Sequence, residues 1–148
     1  MSKSVVIVGA SMGGLRAAEA LRNNGFAGRI TMIGEEAHLP YNRPPLSKEV
    51  LAKEVTHEAV AFKLRAQVED VTWHLGDPAT SVDLEKKVVT TASGKSFEYD
   101  GLVIASGLRP RVLDLPNGKI SGRHTVRTLD DAIFMAFHFS FFIYDFLV

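Results

Sequence analysis

Cysteine is absent from all 148 residues. That excludes a disulfide framework, a thiolate metal site and the CxxC pair through which some flavoproteins pass electrons. Net charge is absent too: seventeen basic and seventeen acidic residues cancel, so no excess of one sign points to nucleic acid or a membrane surface as a partner. There is no internal repeat and no low-complexity linker. The opening MSKSVVIVG has one lysine and an apolar run too short for a signal-peptide core, which predicts a cytoplasmic protein. His38, His57, His74 and His124 lack metal-ligand spacing and read as surface or packing residues. No Tyr-x-x-x-Lys pair occurs, which disfavours a short-chain NAD dehydrogenase.

What is present begins with a hydrophobic content of 46%, enough for one domain with a real core. Val5–Val8 is a continuous β-branched run, which predicts a strand buried on both faces of a parallel sheet. From Gly13 to Asn24, Leu15, Ala18 and Leu21 recur at helical spacing, and Gly25 follows as a stop. Ile30–Ile33 predicts a second strand, completing a right-handed βαβ unit with parallel, adjacent strands. In PYNRPPLSK, Pro44 and Pro45 exclude a regular helix or central strand. Residues 50–67 read as helical in pieces and Val71–Leu75 as a strand holding Trp73 in the core. Residues 86–91 and 95–99 form a hairpin around Ala92-Ser93-Gly94, and Leu102–Ala105 reads as a further buried strand.

The junction between the first strand and helix carries the chemistry. In G-x-G-x-x-G the first glycine makes the tight turn, the second lets backbone approach a pyrophosphate, and the third lets helix and strand pack closely. Gly9 and Gly14 take the first and third positions, Gly13 adds freedom, and Ser11 stands at the second. Serine fits there if its backbone stays in an ordinary region, and its hydroxyl can donate to a phosphate oxygen. A helix starting near Met12 would aim its N–H groups and positive dipole end at the anion. The pattern follows a strand, opens a helix and precedes by about 20 residues an acid, Glu35, at the end of the next strand. A carboxylate there accepts hydrogen bonds from ribose hydroxyls and repels a 2′-phosphate; Glu36 is the poorer candidate. By itself the βαβ unit does not separate FAD from NAD.

VVIVGASMGGLRAAEALR (5–22), PYNRPPLSK (40–48) and YDGLVIASGLRPR (99–111) together resemble the flavin-dependent NAD(P)H:ferredoxin or rubredoxin reductases that serve oxygenases. These are glutathione-reductase-like proteins without a redox disulfide. The resemblance spans residues 4–132 and implies an α/β, Rossmann-like FAD-binding domain: a parallel sheet, crossover helices and an added β-hairpin or meander. It implies FAD as cofactor, NAD(P)H as electron donor and a ferredoxin or rubredoxin as acceptor in the full-length family. It places Arg43 and Lys48 along the FAD, Lys48 near the isoalloxazine edge. Ala105-Ser106-Gly107 stands for the family's A-T-G turn, Arg127 in VRTLDDA for an FAD-contacting arginine, and Ala79 for a backbone contact at the adenine end. Without the resemblance, Arg43, Lys48 and Arg127 read as surface charges and Ser106-Gly107 as a strand-ending turn.

In the resembled family a second βαβ domain binds NAD(P)H after a VRTLDDA-like stretch. This sequence has no second glycine fingerprint and no later G-D motif for the ribityl chain. The expected organisation is an FAD-binding portion over residues 1–132, incomplete relative to the family, and an anomalous phenylalanine-rich tail over 133–148. The reading is of a truncated reductase whose last residues are read out of frame. Six of the nine phenylalanines lie in that tail, a ring density that fits no amphipathic helix face, and the segment is too short for a membrane span. Two rivals stand beside an oxidoreductase: an FAD- or ADP-binding module without turnover, and a non-functional fragment that aggregates through its exposed rings.

Overall fold

The computed structural model describes residues 3–52, 56–111 and 124–145, with 139–145 described as backbone only. The elements fall into two compact units, Met1–Tyr41 with Ala61–Gly107, and Asn42–Val60 with Leu108–Val148.

In the first unit, β1 (Ser4–Val8) leads into α1 (Met12–Asn23) and then β2 (Arg29–Ile33). β1 and β2 pair in parallel from Ser4↔Arg29 to Val8↔Ile33, as the βαβ pattern predicts. β3 (Thr72–His74) extends the sheet beyond β2, and β7 (Gly101–Ile104) pairs with the opposite side of β1, giving the order β3-β2-β1-β7. All four strands run parallel. A separate antiparallel meander is formed by β4 (Ala79–Asp83), β5 (Val88–Thr91) and β6 (Ser96–Glu98). The fold is thus α/β and Rossmann-like, with the hairpin enlarged to three strands.

The β-branched runs bury because both faces of the sheet are covered. On one face Val5, Ile7, Ile30 and Met32 pack with Leu15 and Ala18 of α1 and with Val68 and Val71; Trp73 lies against this cluster. On the other, Val6 and Ile33 meet Val89 and Tyr99 of the meander region. Each such side chain removed from water contributes about 1.5–3 kcal/mol. Arg22 fastens the end of α1, donating to the carbonyls of Phe26 (2.5 Å) and Gly28 (2.9 Å) while pairing with Asp70 at 2.8 Å.

The strand read as buried, β7, is half-buried at Gly101, Leu102 and Val103, and Ile104 is 62% exposed. Among the described residues β7 pairs only with β1, so it is an edge strand, and an apolar run is the same whether its neighbour is present or not.

In the second unit the proline pair opens a single 3-10 turn, Pro44–Ser47. α2 (Glu49–Ala52) and α3 (His57–Val60) follow, then α4 (Leu129–Asp145). α2 packs on α4, where Val50, Leu129 and Ala132 are buried. The start of α4 explains TLDD as a capping box. The Thr128 hydroxyl accepts the Asp131 N–H at 3.1 Å, and the Asp131 carboxylate accepts the N–H groups of Thr128 and Arg127, both at 2.9 Å. Burial opposes the charge on Asp131, yet the Thr128 and Arg127 N–H groups, the Thr128 hydroxyl and the nearby Arg43 hold its pKa below the usual carboxylate value. Replacing Thr128 with alanine is expected to cost about 1 kcal/mol in denaturant unfolding, the usual loss on removing such a cap.

The phenylalanine-rich stretch continues α4 to Asp145, so the boundary placed after Ala132 falls inside one helix. No glycine or proline interrupts residues 129–148, and a capped start suffices to launch the helix. Ile133, Phe134 and Phe137 on it are nevertheless exposed, Phe137 by 62%. Among the described residues no helix is long and apolar enough to cross a membrane.

Candidate functional site

β1 connects through α1 to β2 on one side and has β7 on the other. A parallel sheet opens a crevice beyond the carboxyl ends of its strands at such a reversal of strand order. The residues there are Val8 to Gly14, Gly34 to Glu36, and Ala105 to Gly107. Gly9 ties this edge together: its N–H donates to the Ile33 carbonyl at 2.8 Å, while the Ala105 N–H donates to the Val8 carbonyl at 2.7 Å.

Two glycines of the loop are required by space. Gly9 has φ +114°, and a Cβ on it would lie 2.1 Å from the Ala105 carbonyl oxygen; a Cβ on Gly14 would lie 2.0 Å from the Gly9 carbonyl oxygen. The first glycine therefore admits the β7 turn and the third lets α1 start against the loop. At Gly13 a Cβ would meet only the Ala105 methyl, at an ordinary 3.6 Å. Ser11, at the second position, is extended at φ −120°, ψ −164°, a conformation any residue adopts, and its side chain does not cap the helix. The first bond of the helix runs from the Leu15 N–H to the Ser11 carbonyl at 2.9 Å. The N–H groups of Met12, Gly13 and Gly14 precede it and have no acceptor within their own helix. Met12 and Gly13 are exposed, so the positive end of α1 faces out at the crevice.

Glu35 is exposed just past β2. Glu36 is half-buried and its carboxylate accepts the Tyr41 hydroxyl, which explains physically why the first acid, and not the second, faces out. Both neighbours of Glu35 are held: the Gly34 carbonyl accepts the Asp77 N–H at 3.1 Å and the Glu36 carbonyl accepts the Gly76 N–H at 3.0 Å. Ala79 begins β4 two residues beyond Asp77, half-buried and packed against the Val6–Ile33–Val89–Tyr99 cluster. Ser106 and Gly107 are exposed beside Gly9 at the end of β7.

The structure thus gathers Gly9, Ser11, Met12, Gly13, Gly14, Ala105, Ser106 and Gly107 along one edge of the first unit, with Glu35 and Ala79 on the β2 side. Arg43, Lys48 and Arg127 belong to the second unit. There the Arg43 guanidinium donates to the Arg127 carbonyl at 2.5 Å. Both residues line a hollow of about 330 Å³ with Pro44, Leu46, Ser47 and Val126. Lys48 is exposed at the end of the 3-10 turn and is not among the residues lining that hollow.

Asp77 was not legible as a site residue. Its buried carboxylate accepts His74 Nε2–H at 2.7 Å, the Thr91 hydroxyl at 2.7 Å, the Ser93 hydroxyl at 2.5 Å and the Ser93 N–H at 2.9 Å. The Ser93 hydroxyl leads in holding its pKa far below the usual value, with His74, Thr91 and the Ser93 N–H adding to it against the opposing effect of burial. Its partners sit on β3, on β5 and in the hairpin turn. A lone acid in GDP signals only a turn.

This architecture recurs in known proteins. The chain is 45% identical over 129 residues to a ferredoxin–NAD(P)(+) reductase of Sphingomonas, covering 86% of this chain and 31% of that protein. It is 37% identical over 131 residues to rhodocoxin reductase of Rhodococcus erythropolis, covering 87% and 31%. The crystal structure of a ferredoxin reductase from Rhodopseudomonas palustris superposes with a TM-score of 0.82 at 35% identity, over 93% of this chain and 34% of that one. The chain therefore spans about a third of the length of the curated relatives it matches. Residues 3–138, from the first strand through the glycine loop and the meander into α4, match one family model, and by that match the chain belongs to the pyridine nucleotide-disulphide oxidoreductase family.

Proposed function

We propose that this chain is the FAD-binding portion of an NAD(P)H-dependent ferredoxin reductase. In the whole protein, electrons pass from NAD(P)H to FAD and on to a ferredoxin or rubredoxin that serves an oxygenase. The observation that carries the reading is the glycine loop at the switch point of the sheet: Gly9 and Gly14, where a Cβ would lie within 2.1 Å of backbone oxygen, let β1, β7 and α1 meet closely and so present the outward N-terminus of α1 to the crevice. The exposed N–H groups and positive dipole end of that helix suit a pyrophosphate. The relatives named above, ferredoxin and rhodocoxin reductases, support the assignment of the dinucleotide and its partners.

In this reading Gly9, Ser11, Met12, Gly13 and Gly14 bind the pyrophosphate, and Glu35 accepts the ribose hydroxyls and disfavours a 2′-phosphate. Ala79 contacts the adenine end, while Ala105, Ser106 and Gly107 border the dinucleotide at β7. Arg43, Lys48 and Arg127 assist on the flavin side. Bound FAD supplies hydride acceptance and one-electron transfer; the protein contributes orientation and electrostatics. Residues 1–132 form the FAD-binding portion, 133–148 are an anomalous tail, and the protein acts in the cytoplasm. The single dinucleotide fingerprint in these 148 residues favours a second reading for the chain by itself, a binding module without turnover.

The test is the visible spectrum of the purified chain before and after NADH. A yellow protein that stays yellow is expected. A colourless protein that FAD does not reconstitute overturns the binding assignment. Bleaching by NADH keeps the flavin site and overturns the module reading, since hydride would then have a route.

A further inference from the structure

Glu35 is exposed and opens the bend at residues 35–38 that follows β2, so its aim depends on what holds its neighbours. The bonds that hold them come from Gly76 and Asp77, whose N–H groups reach the Glu36 and Gly34 carbonyls at 3.0 and 3.1 Å. The Gly34 N–H in turn donates to the His74 carbonyl at 2.8 Å. What fixes the 76–77 step is the Asp77 side chain, clamped by His74, Thr91 and Ser93 through four hydrogen bonds. The next residues are held as well, because the Ala92 N–H donates to the Pro78 carbonyl at 2.9 Å. One buried carboxylate thus couples β3 and the β5–β6 turn to the backbone on both sides of Glu35.

We propose that Asp77 is a positioning residue for Glu35 and, through it, sets the preference for a nucleotide with a free ribose 2′-hydroxyl. The inference rests on the reading of Glu35 as the ribose acceptor. Asp77 touches no part of the nucleotide: it fixes the backbone whose carbonyls fix the Glu35 turn. Weakening the clamp lets residues 76–77 drift, and the Glu35 carboxylate then samples orientations that miss the 2′-hydroxyl. Binding through the phosphate loop, anchored by the Gly9 N–H to β2 and by the Val8 carbonyl to Ala105, does not depend on this clamp.

The experiment measures the affinity of the full 148-residue chain for ADP and for 2′-deoxy-ADP by calorimetry, well below the melting temperature of each variant. A hydrogen bond to a charged group corresponds to a preference of about tenfold or more for ADP. Glu35→Gln is expected to reduce that preference to within about threefold. Asp77→Asn is expected to do the same while changing 2′-deoxy-ADP affinity little, a ratio that a merely stabilising residue would leave intact. Ser93→Ala, which removes one arm of the clamp, is expected to give an intermediate ratio and decides the matter if Asp77→Asn does not fold. An unchanged ratio in the Asp77 or Ser93 variants, with the Glu35 variant altered, overturns the positioning role and leaves the ribose assignment standing. An unchanged ratio in Glu35→Gln, or no ADP binding by the unaltered chain, overturns the ribose assignment and the positioning role with it.

Discussion

Alanine at Gly14 is expected to cost about 1–3 kcal/mol of folding stability and at Gly9 about 2–6 kcal/mol, both with loss of FAD retention, whereas alanine at Gly13 is expected to be neutral or to stabilise by about 0.5 kcal/mol. The contrast follows from what each new methyl would meet. At Gly14 it would stand 2.0 Å from the Gly9 carbonyl oxygen, and at Gly9 2.1 Å from the Ala105 carbonyl oxygen. Both obstacles are backbone in the turn regions that end β1 and β7, so neither yields as a side chain would. Overpacking of this kind costs about 1–3 kcal/mol. At Gly9 the positive φ adds roughly 1–3 kcal/mol of conformational strain. Relief of the Gly14 clash requires moving α1 away from the loop, which also displaces the N–H groups that face the crevice, and relief of the Gly9 clash requires moving the Ala105 end of β7 away from it. At Gly13 the new methyl finds ordinary contact, and alanine restricts the unfolded chain. Urea unfolding of the three variants, with flavin absorbance after purification, checks the order.

Asp77→Asn is expected to lower the melting temperature by several degrees at neutral pH and to flatten the acid side of the stability profile. The Asp77 pKa is depressed in the folded protein below the ordinary 3.8. In the window between those two values the unfolded chain binds more protons than the folded one, so stability rises with pH. The contribution is complete above 3.8 and drains away as pH falls through the folded value. Asparagine does not titrate and loses the charge-assisted character of the bonds from His74, Thr91 and Ser93. The melting curves of the two proteins should therefore draw together as the solution is acidified. Thermal unfolding followed by circular dichroism between pH 2 and 7 tests this, and a constant gap across that range would mean that the clamp contributes through shape alone.

The β1–α1–β2 portion could be read from the chain because its signals are local. A β-branched run, a glycine loop and apolar residues at helical spacing follow one another without interruption, and the structure departs from the expected bounds by no more than one residue. The choice of Glu35 over Glu36 rested on position alone; the physical reason, the Tyr41 hydroxyl on Glu36, lies five residues on. Other features depend on partners that spacing does not reveal. β4, ATSVD, alternates weakly and is exposed at Thr80, Ser81 and Val82, so no apolar stripe announced it. The exposure of Ile104 depends on which strand lies beside β7, a long-range fact. The Asp77 clamp joins residues at 74, 91 and 93, none of which signals it alone. In TLDD the capping box was legible in principle, since threonine three residues before an acid is a helix-start signal.

Because β1 is bonded on both sides while β3 and β7 each have a single described neighbour, thermal opening of the sheet need not be uniform. Strand separation at an edge exposes one ladder, whereas freeing β1 requires breaking two and uncovering Ile7, which is wholly buried. Fluctuations of the native state are thus graded from the rim inward, and the most persistent part of this sheet is its central pair, β1 and β2, the first of which leads into the glycine loop. Partial unfolding at either edge can come and go while the Val8–Gly9 step, from which the helix departs, keeps its place.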